Sequence, residues 1–273
     1  MTGNMVHRLS EYLRMDRLPH IWCAGCGLGI ILHAYTKALM ELEMDLDNVV
    51  TVSGIGCAGR ASGYVNTDSF HTTHGRALPF ATGVNLANPE LKPVIISGDG
   101  DLFAIGGNHL IHAARRNVNM LVICSNNFNY GMTGAQYGPT TPQKIRTPTS
   151  PFGNMENPLN LVSLVSSAGA TMVSRWTVYH VFQLKKAIKK GLQKKGFSFI
   201  EVISPCTTGY GRLNKMTPLD MMNQLKNNSR IAQVHPTEAI IDPNQEIILG
   251  NFVDIRKPTY DEVLKELEAK FNE

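Results

Sequence analysis

The chain has 273 residues, 43% hydrophobic and 18% charged, with a formal net charge of +4. That length suits one large α/β domain with a tail, or at most two domains. The charge is too small to argue for nucleic acid, and no apolar stretch approaches the length of a membrane span. Residues 1–18 lack a continuous apolar core, so no secretory signal is read there and a cytoplasmic location is expected. Apolar residues at helical spacing then predict a helix over 28–42, followed by a strand over 49–54. A helix over 78–87 and a strand over 93–97 come next. A crossover of helical length over 104–116, with its pattern clearest over 105–115, leads to a strand over 120–125.

Residues 130–158, rich in Gly, Pro, Thr and Asn, break this alternation. A loop that long inside a compact domain is usually functional, and its place directly after Asn127 predicts that it covers a bound ligand. The pattern resumes with a helix over 159–168, a strand over 170–174, a helix over 178–195 and a strand over 197–203. The third of these carries Lys185, Lys186, Lys189, Lys190, Lys194 and Lys195 opposite Val181, Leu184, Ile188 and Leu192, an amphipathic helix with a solvated basic side. Residues 208–273 read as an irregular tail with short helices, the last over 261–271, resting on the domain formed by 1–207 or on a partner. Strands such as Val94-Ile95-Ile96 and Leu121-Val122-Ile123 are continuous apolar runs, as expected when helices cover both faces. The fold class is α/β, a doubly wound parallel sheet.

Gly98-Asp99-Gly100-Asp101 closes one of these strands and Asn126-Asn127 closes the next. A right-handed crossover brings both carboxyl ends to one edge, where open α/β sheets bind ligands. A carboxylate and a carboxamide are hard oxygen ligands of the kind Mg²⁺ takes together with substrate phosphates. Glycines let backbone N–H groups approach those phosphates. Taken singly, Gly-Asp-Gly is a turn and Asn-Asn a loop cap; together at adjacent strand ends they read as a metal–diphosphate cradle. The pairing resembles the diphosphate-binding module of thiamine diphosphate enzymes. That resemblance implies that Asp99, Asn127 and the backbone carbonyl of Asn129 hold the Mg²⁺.

Five cysteines occur, and four lie at informative places. Cys23 and Cys26 form a Cys-x-x-Cys knuckle entering a helix, Cys57 follows the first strand, and Cys206 follows the last. Four such thiols suit an iron–sulfur cluster or structural zinc, and a redox dithiol at Cys23 and Cys26 is a third option. Cys124 lies inside an apolar strand and reads as a small hydrophobe.

Residues 20–215 as a whole resemble the β subunit of 2-oxoacid:ferredoxin oxidoreductases, most nearly the 2-oxoglutarate type. The blocks that carry this are Trp22-Cys23-Ala24-Gly25-Cys26-Gly27, Ser53-Gly54-Ile55-Gly56-Cys57, His71-Thr72-Thr73-His74-Gly75-Arg76-Ala77, Gly98-Asp99-Gly100-Asp101 and Tyr130-Gly131-Met132-Thr133-Gly134. The resemblance implies oxidative decarboxylation of 2-oxoglutarate with coenzyme A to succinyl-CoA and CO₂, in either direction. Electrons would pass through one [4Fe–4S] cluster on Cys23, Cys26, Cys57 and Cys206 to ferredoxin. Ile55, Gly56, Cys57, Ala58, Gly98, Asp99, Gly100, Asp101, Asn127, Asn129, Gly131 and Met132 would contact the thiamine diphosphate, with His74 against it. Arg60 is placed to pair with a substrate carboxylate, the alternative being a brace for the Cys57 loop. Trp22 would shield the cluster, and His71 and Arg76 read as structural. Ala24, Ala135 and Thr207 depart from the family's usual residues at non-ligand positions.

No motif supplies the Glu that thiamine enzymes use to activate the aminopyrimidine. An obligate α subunit is therefore expected, making the enzyme a heteromer, with small γ and ferredoxin-like δ subunits as further partners. Rival readings are the same chemistry on pyruvate or a branched-chain 2-oxo acid, a non-redox thiamine decarboxylase or synthase with structural zinc, and a scaffold without catalysis.

Overall fold

The computed structural model describes residues 7–272; the first six residues of the stretch read for a targeting signal lie outside them. Helix α1 (Leu28–Glu41) leads into β1 (Val49–Ser53), and β2 (Asp68–His71) into α2 (Ala77–Ala87). Strand β3 (Lys92–Gly98) is followed by a π-helical turn at Asp101–Ile105 and by α3 (Gly107–Arg116). Then come β4 (Met120–Asn126), α4 (Leu161–Ser167), β5 (Met172–Thr177), α5 (Val181–Gln193) and β6 (Phe197–Ile203). The last part holds α6 (Pro218–Asn227), β7 (Ser229–Ile231), β8 (Ile241–Asp242), β9 (Glu246–Asp254) and α7 (Tyr260–Phe271). All form one sheet in the order β2-β1-β3-β4-β6-β5-β9-β7, with β8 also paired to β9.

Strands β1 to β6 are mutually parallel, so their carboxyl ends share an edge. Side chains alternate between two cores, as a period of two requires. Val94, Ile96, Leu121 and Ile123 pack under α1 and α5. Ile95, Val122, Phe197 and Phe199 pack under α2, α3 and α4. The doubly wound architecture expected from the alternating pattern is present.

Residues 208–272 differ from the irregular tail expected of them. The run Ile247-Ile248-Leu249 is fully buried in β9, whose second half pairs antiparallel with β5 and makes the sheet mixed. Capping boxes at Thr217/Asp220 and Thr259/Glu262 start α6 and α7 by satisfying orphan backbone N–H groups. The basic side of α5 is also less solvated than its pattern implied. Lys185 and Lys189 reach Glu41 on α1, while Lys190 and Lys194 reach Asp254 on β9. Among the described residues no helix is long and apolar enough to cross a membrane.

One buried ion pair joins the tail to the sheet. Arg175 on β5 donates to Glu201 on β6 at 2.7 Å, both side chains being fully buried. The same guanidinium donates to the carbonyls of Ala239, Ile240 and Ile248 and to Asn160 Oδ1 at the start of α4. Glu201 accepts a second bond from Asn126 Nδ2 at 2.7 Å, which fixes the end of β4. Replacing Arg175 with alanine would strand this carboxylate, and urea denaturation should read a loss of about 3–5 kcal/mol. A loss under about 1 kcal/mol would show that the pair does not hold the tail in place.

Candidate active site

The register of β3 against β4 pairs Gly98 with Ser125. Asp99 and the Asn126-Asn127 pair therefore leave the sheet at the same level of its carboxyl edge. A cleft opens there, at the edge where open α/β sheets bind ligands. Ile55, Gly56, Cys57, Ala58, His74, Gly98, Asp99, Gly100, Asp101, Asn127, Asn129, Gly131 and Met132 all line it. The geometry thus gathers all the residues expected to contact a diphosphate cofactor into a single cleft. Tyr130 and Thr133 line it too and were not singled out from the sequence.

The two asparagines divide their work. Asn126 is turned to Glu201 and also accepts the Phe128 N–H, so it holds the turn. Asn127 lines the cleft, its Oδ1 accepting the Asn129 N–H at 3.2 Å. The two aspartates differ as sharply. Asp101 is consumed by protein donors: Ile55 N at 3.1 Å, Gly75 N at 2.7 Å and Ser97 Oγ at 2.7 Å, with His74 Nδ1 2.7 Å away. It pins the Ile55 loop and the His74 loop to the end of β3. The carboxylate fills the space a side chain at residue 54 would need, since a Cβ on Gly54 would come within 1.9 Å of Asp101 Oδ2.

Asp99 is 1% exposed and accepts a hydrogen bond from Thr140, and burial raises its carboxyl to about 6. Backbone N–H groups of Asp99, Asn127 and Gly100 also favour the carboxylate without offsetting its burial, and a buried carboxyl facing a cleft with no countercharge is suited to a cation. Gly100 follows it because the Tyr130 ring lies where a side chain would stand, 2.3 Å from the Cβ position. Thr140 belongs to the long loop after β4, and no local sequence signal marks it. That loop is a wall rather than a free flap: Thr141 Oγ1 donates to Phe128 O, and Asn154 Nδ2 donates to Thr141 O at 2.7 Å.

Cys23, Cys26, Cys57 and Cys206 come together beside this cleft. Burial pushes the Cys26 thiol up to about 11, reinforced by Cys206, Cys57 and Cys23. The Cys57 thiol rises to about 11 for the same reason, with Cys206 and Cys23 acting on it. Trp22 Nε1 donates to Cys57 O at 2.7 Å, and Thr207 Oγ1 donates to Ala24 O at 3.0 Å, tying the three cysteine-bearing segments together. Among the described residues no three His, Cys, Asp or Glu side chains close on a point as one metal ion requires. Cys124 is fully buried in β4, apart from the other four. Arg60 is exposed and does not line the cleft; its backbone N–H donates to Cys57 O at 3.3 Å, but its guanidinium makes no hydrogen bond to the Cys57 loop. His71 is likewise exposed.

The comparisons agree with this geometry. Residues 54–202 match the family described as thiamine pyrophosphate enzyme, C-terminal TPP binding domain. The 2-oxoglutarate synthase subunit KorB of Methanocaldococcus jannaschii is 49% identical over 97% of this chain and 98% of its own. The subunit of the same name from Methanothermobacter thermautotrophicus is 52% identical over 91% of this chain and 87% of its own. Among solved structures, the 2-oxoglutarate:ferredoxin oxidoreductase of Magnetococcus marinus, with 2-oxoglutarate, coenzyme A and succinyl-CoA bound, superposes with a TM-score of 0.88. It is 30% identical, over 99% of this chain and 93% of that one. A cleft built from the ends of β1, β3 and β4 and relatives matched nearly end to end lead to one conclusion: this chain belongs to the 2-oxoglutarate synthase KorB family, the β subunits of 2-oxoacid:ferredoxin oxidoreductases, and carries their thiamine pyrophosphate-binding domain.

Proposed function

We propose that this chain is the cofactor-bearing half of a heteromeric enzyme that converts 2-oxoglutarate and coenzyme A to succinyl-CoA and CO₂. The reaction is reversible, and ferredoxin takes the electrons. The observation that carries this is the adjacency of two sites at one sheet edge: the Asp99/Asn127 cleft and the four thiols of Cys23, Cys26, Cys57 and Cys206. When bound, thiamine diphosphate supplies carbanion stabilisation, and an iron–sulfur cluster beside it supplies an electron acceptor.

Asp99, Asn127 and the Asn129 carbonyl would hold Mg²⁺, and the buried Asp99 carboxyl supports this because it otherwise lacks a countercharge. Asp101 fixes the Ile55 and His74 loops, so His74 is presented to the cleft in a set orientation. Arg60 is free to meet a substrate carboxylate from outside the cleft. The four cysteines would hold a [4Fe–4S] cluster.

The partner requirement has its own support. Among the described residues no glutamate lines the cleft, which supports an activating carboxylate supplied by another chain. Ile55, Met132 and Ile105, which abuts Gly75, stand 39%, 47% and 52% exposed around the mouth, an apolar rim suited to an α subunit. Small γ and ferredoxin-like δ subunits would carry electrons onward.

Three outcomes are expected of the complex purified without oxygen. Asp99→Asn should remain folded but bind thiamine diphosphate at least a hundredfold more weakly in Mg²⁺, about 2.7 kcal/mol; unchanged affinity by calorimetry removes Asp99 from the metal. Because burial raises Asp99 to about 6, the proton competes with the cation on the acid side. Mg²⁺-dependent cofactor affinity should be flat above pH 7 and fall about tenfold per unit below pH 6, and a profile without that break contradicts the assignment. Serine at Cys23, Cys26, Cys57 or Cys206 should abolish iron and acid-labile sulfide, whereas Cys124→Ala should retain both. Zinc without sulfide in the unaltered protein sinks the cluster reading.

A further inference from the structure

Asn129 does something that its backbone carbonyl does not account for. Its side chain is 3% exposed, yet neither Oδ1 nor Nδ2 has a hydrogen-bond partner. Leaving a buried amide unsatisfied costs stability, so the site is suited to an acceptor that arrives later. Two glycines show where it must arrive. A Cβ on Gly209 would lie 3.2 Å from Asn129 Nδ2 and 3.2 Å from Cys206 Sγ. A Cβ on Gly131 would lie 3.5 Å from Asn129 Oδ1 and 3.4 Å from the same sulfur. The carboxamide thus lies near Cys206, in a tight corner closed by Ala135, whose Cβ is 2.5 Å from the Cβ position at Gly209, at the wall between the cleft and the thiols.

We propose that the Asn129 carboxamide donates a hydrogen bond to sulfur at Cys206 in the assembled cluster and thereby sets the potential at which that cluster accepts an electron. The inference rests on the cluster reading given above. The amide makes no hydrogen bond to the Cys206 thiol as it stands, and a protonated thiol is in any case a weak acceptor. A thiolate ligand accepts far more strongly, so assembly of the cluster would satisfy the orphan N–H. Hydrogen bonds to cluster sulfurs stabilise the more negative reduced state and raise the reduction potential. A carboxamide suits this task because it cannot lose its proton with pH.

The test uses the complete complex, purified without oxygen, with Asn129→Leu and Asn129→Asp as variants. Both remove the donor while keeping near-equal volume. Each should carry full iron and sulfide and retain thiamine diphosphate. In an EPR-monitored redox titration the reduced-to-oxidised ratio at a fixed ambient potential should fall about tenfold, equivalent to about 59 mV for a one-electron couple. Full clusters with an unchanged midpoint in both variants overturn the proposal. So does weakened thiamine diphosphate binding at an unchanged midpoint, which assigns the amide to the diphosphate instead. If neither variant assembles a cluster, ¹⁵N-asparagine labelling of the unaltered complex decides: an asparagine nitrogen coupled to the reduced cluster supports the bond, and its absence refutes it. A complex lacking iron and sulfide altogether would remove the cluster reading itself, a different outcome from any of these.

Discussion

Parallel pairing of β1, β3, β4 and β6 forces four strands to end on one edge of the sheet, and the chemistry of this protein depends on that constraint. Cys57 follows β1, Asp99 follows β3, Asn127 follows β4 and Cys206 follows β6. No local feature of any of these loops would bring the others near. The hydrogen-bond ladder does it, because a parallel register fixes where each strand stops relative to its neighbour. A slip between β3 and β4 would carry Asp99 away from Asn127 and turn side chains to the wrong core.

Three buried acids show how the same residue chemistry is put to different uses. Glu201 is neutralised by Arg175 and is structural. Asp101 is surrounded by donors from two loops and from β3 and holds the cleft's shape. Asp99 receives one side-chain hydrogen bond, from Thr140, and its carboxyl is pushed upward by burial. A carboxylate left short of compensation in this way costs stability until a cation satisfies it. The thiols follow the same logic, since burial and mutual repulsion hold Cys26 and Cys57 protonated until positive charge arrives among them. Asn129 extends it to a neutral group, an amide kept dry and unpaired beside a sulfur.

Much of this was legible in the sequence because apolar runs and strand-end motifs are local signals. Gly98-Asp99-Gly100, Asn126-Asn127, Cys57 and Cys206 could be placed on strand ends, and Cys23 and Cys26 at a helix start, without knowing the strand order. What escaped depended on distant partners. The strand expected over 170–174 lies instead at Met172–Thr177, and it can run past Arg175 because Glu201 and three carbonyls receive the buried guanidinium. Strand β2 is a polar, largely exposed edge with no apolar run. Strand β9 pairs with β5 across more than seventy residues of intervening chain, with a register shift between Val173 and Ser174. Asp101 offered no clue that it braces two loops, and Thr140 none that it reaches Asp99.

The central claim is that thiamine diphosphate and an electron-accepting cluster share one sheet edge in this chain. It is tested most directly by mixing the complete complex, free of oxygen, with 2-oxoglutarate and following the low-temperature EPR spectrum. The account predicts that a reduced [4Fe–4S] signal appears on addition of 2-oxoglutarate, before coenzyme A is supplied, and more strongly than with pyruvate. Decarboxylation of 2-oxoglutarate with no change in any iron–sulfur signal would contradict it.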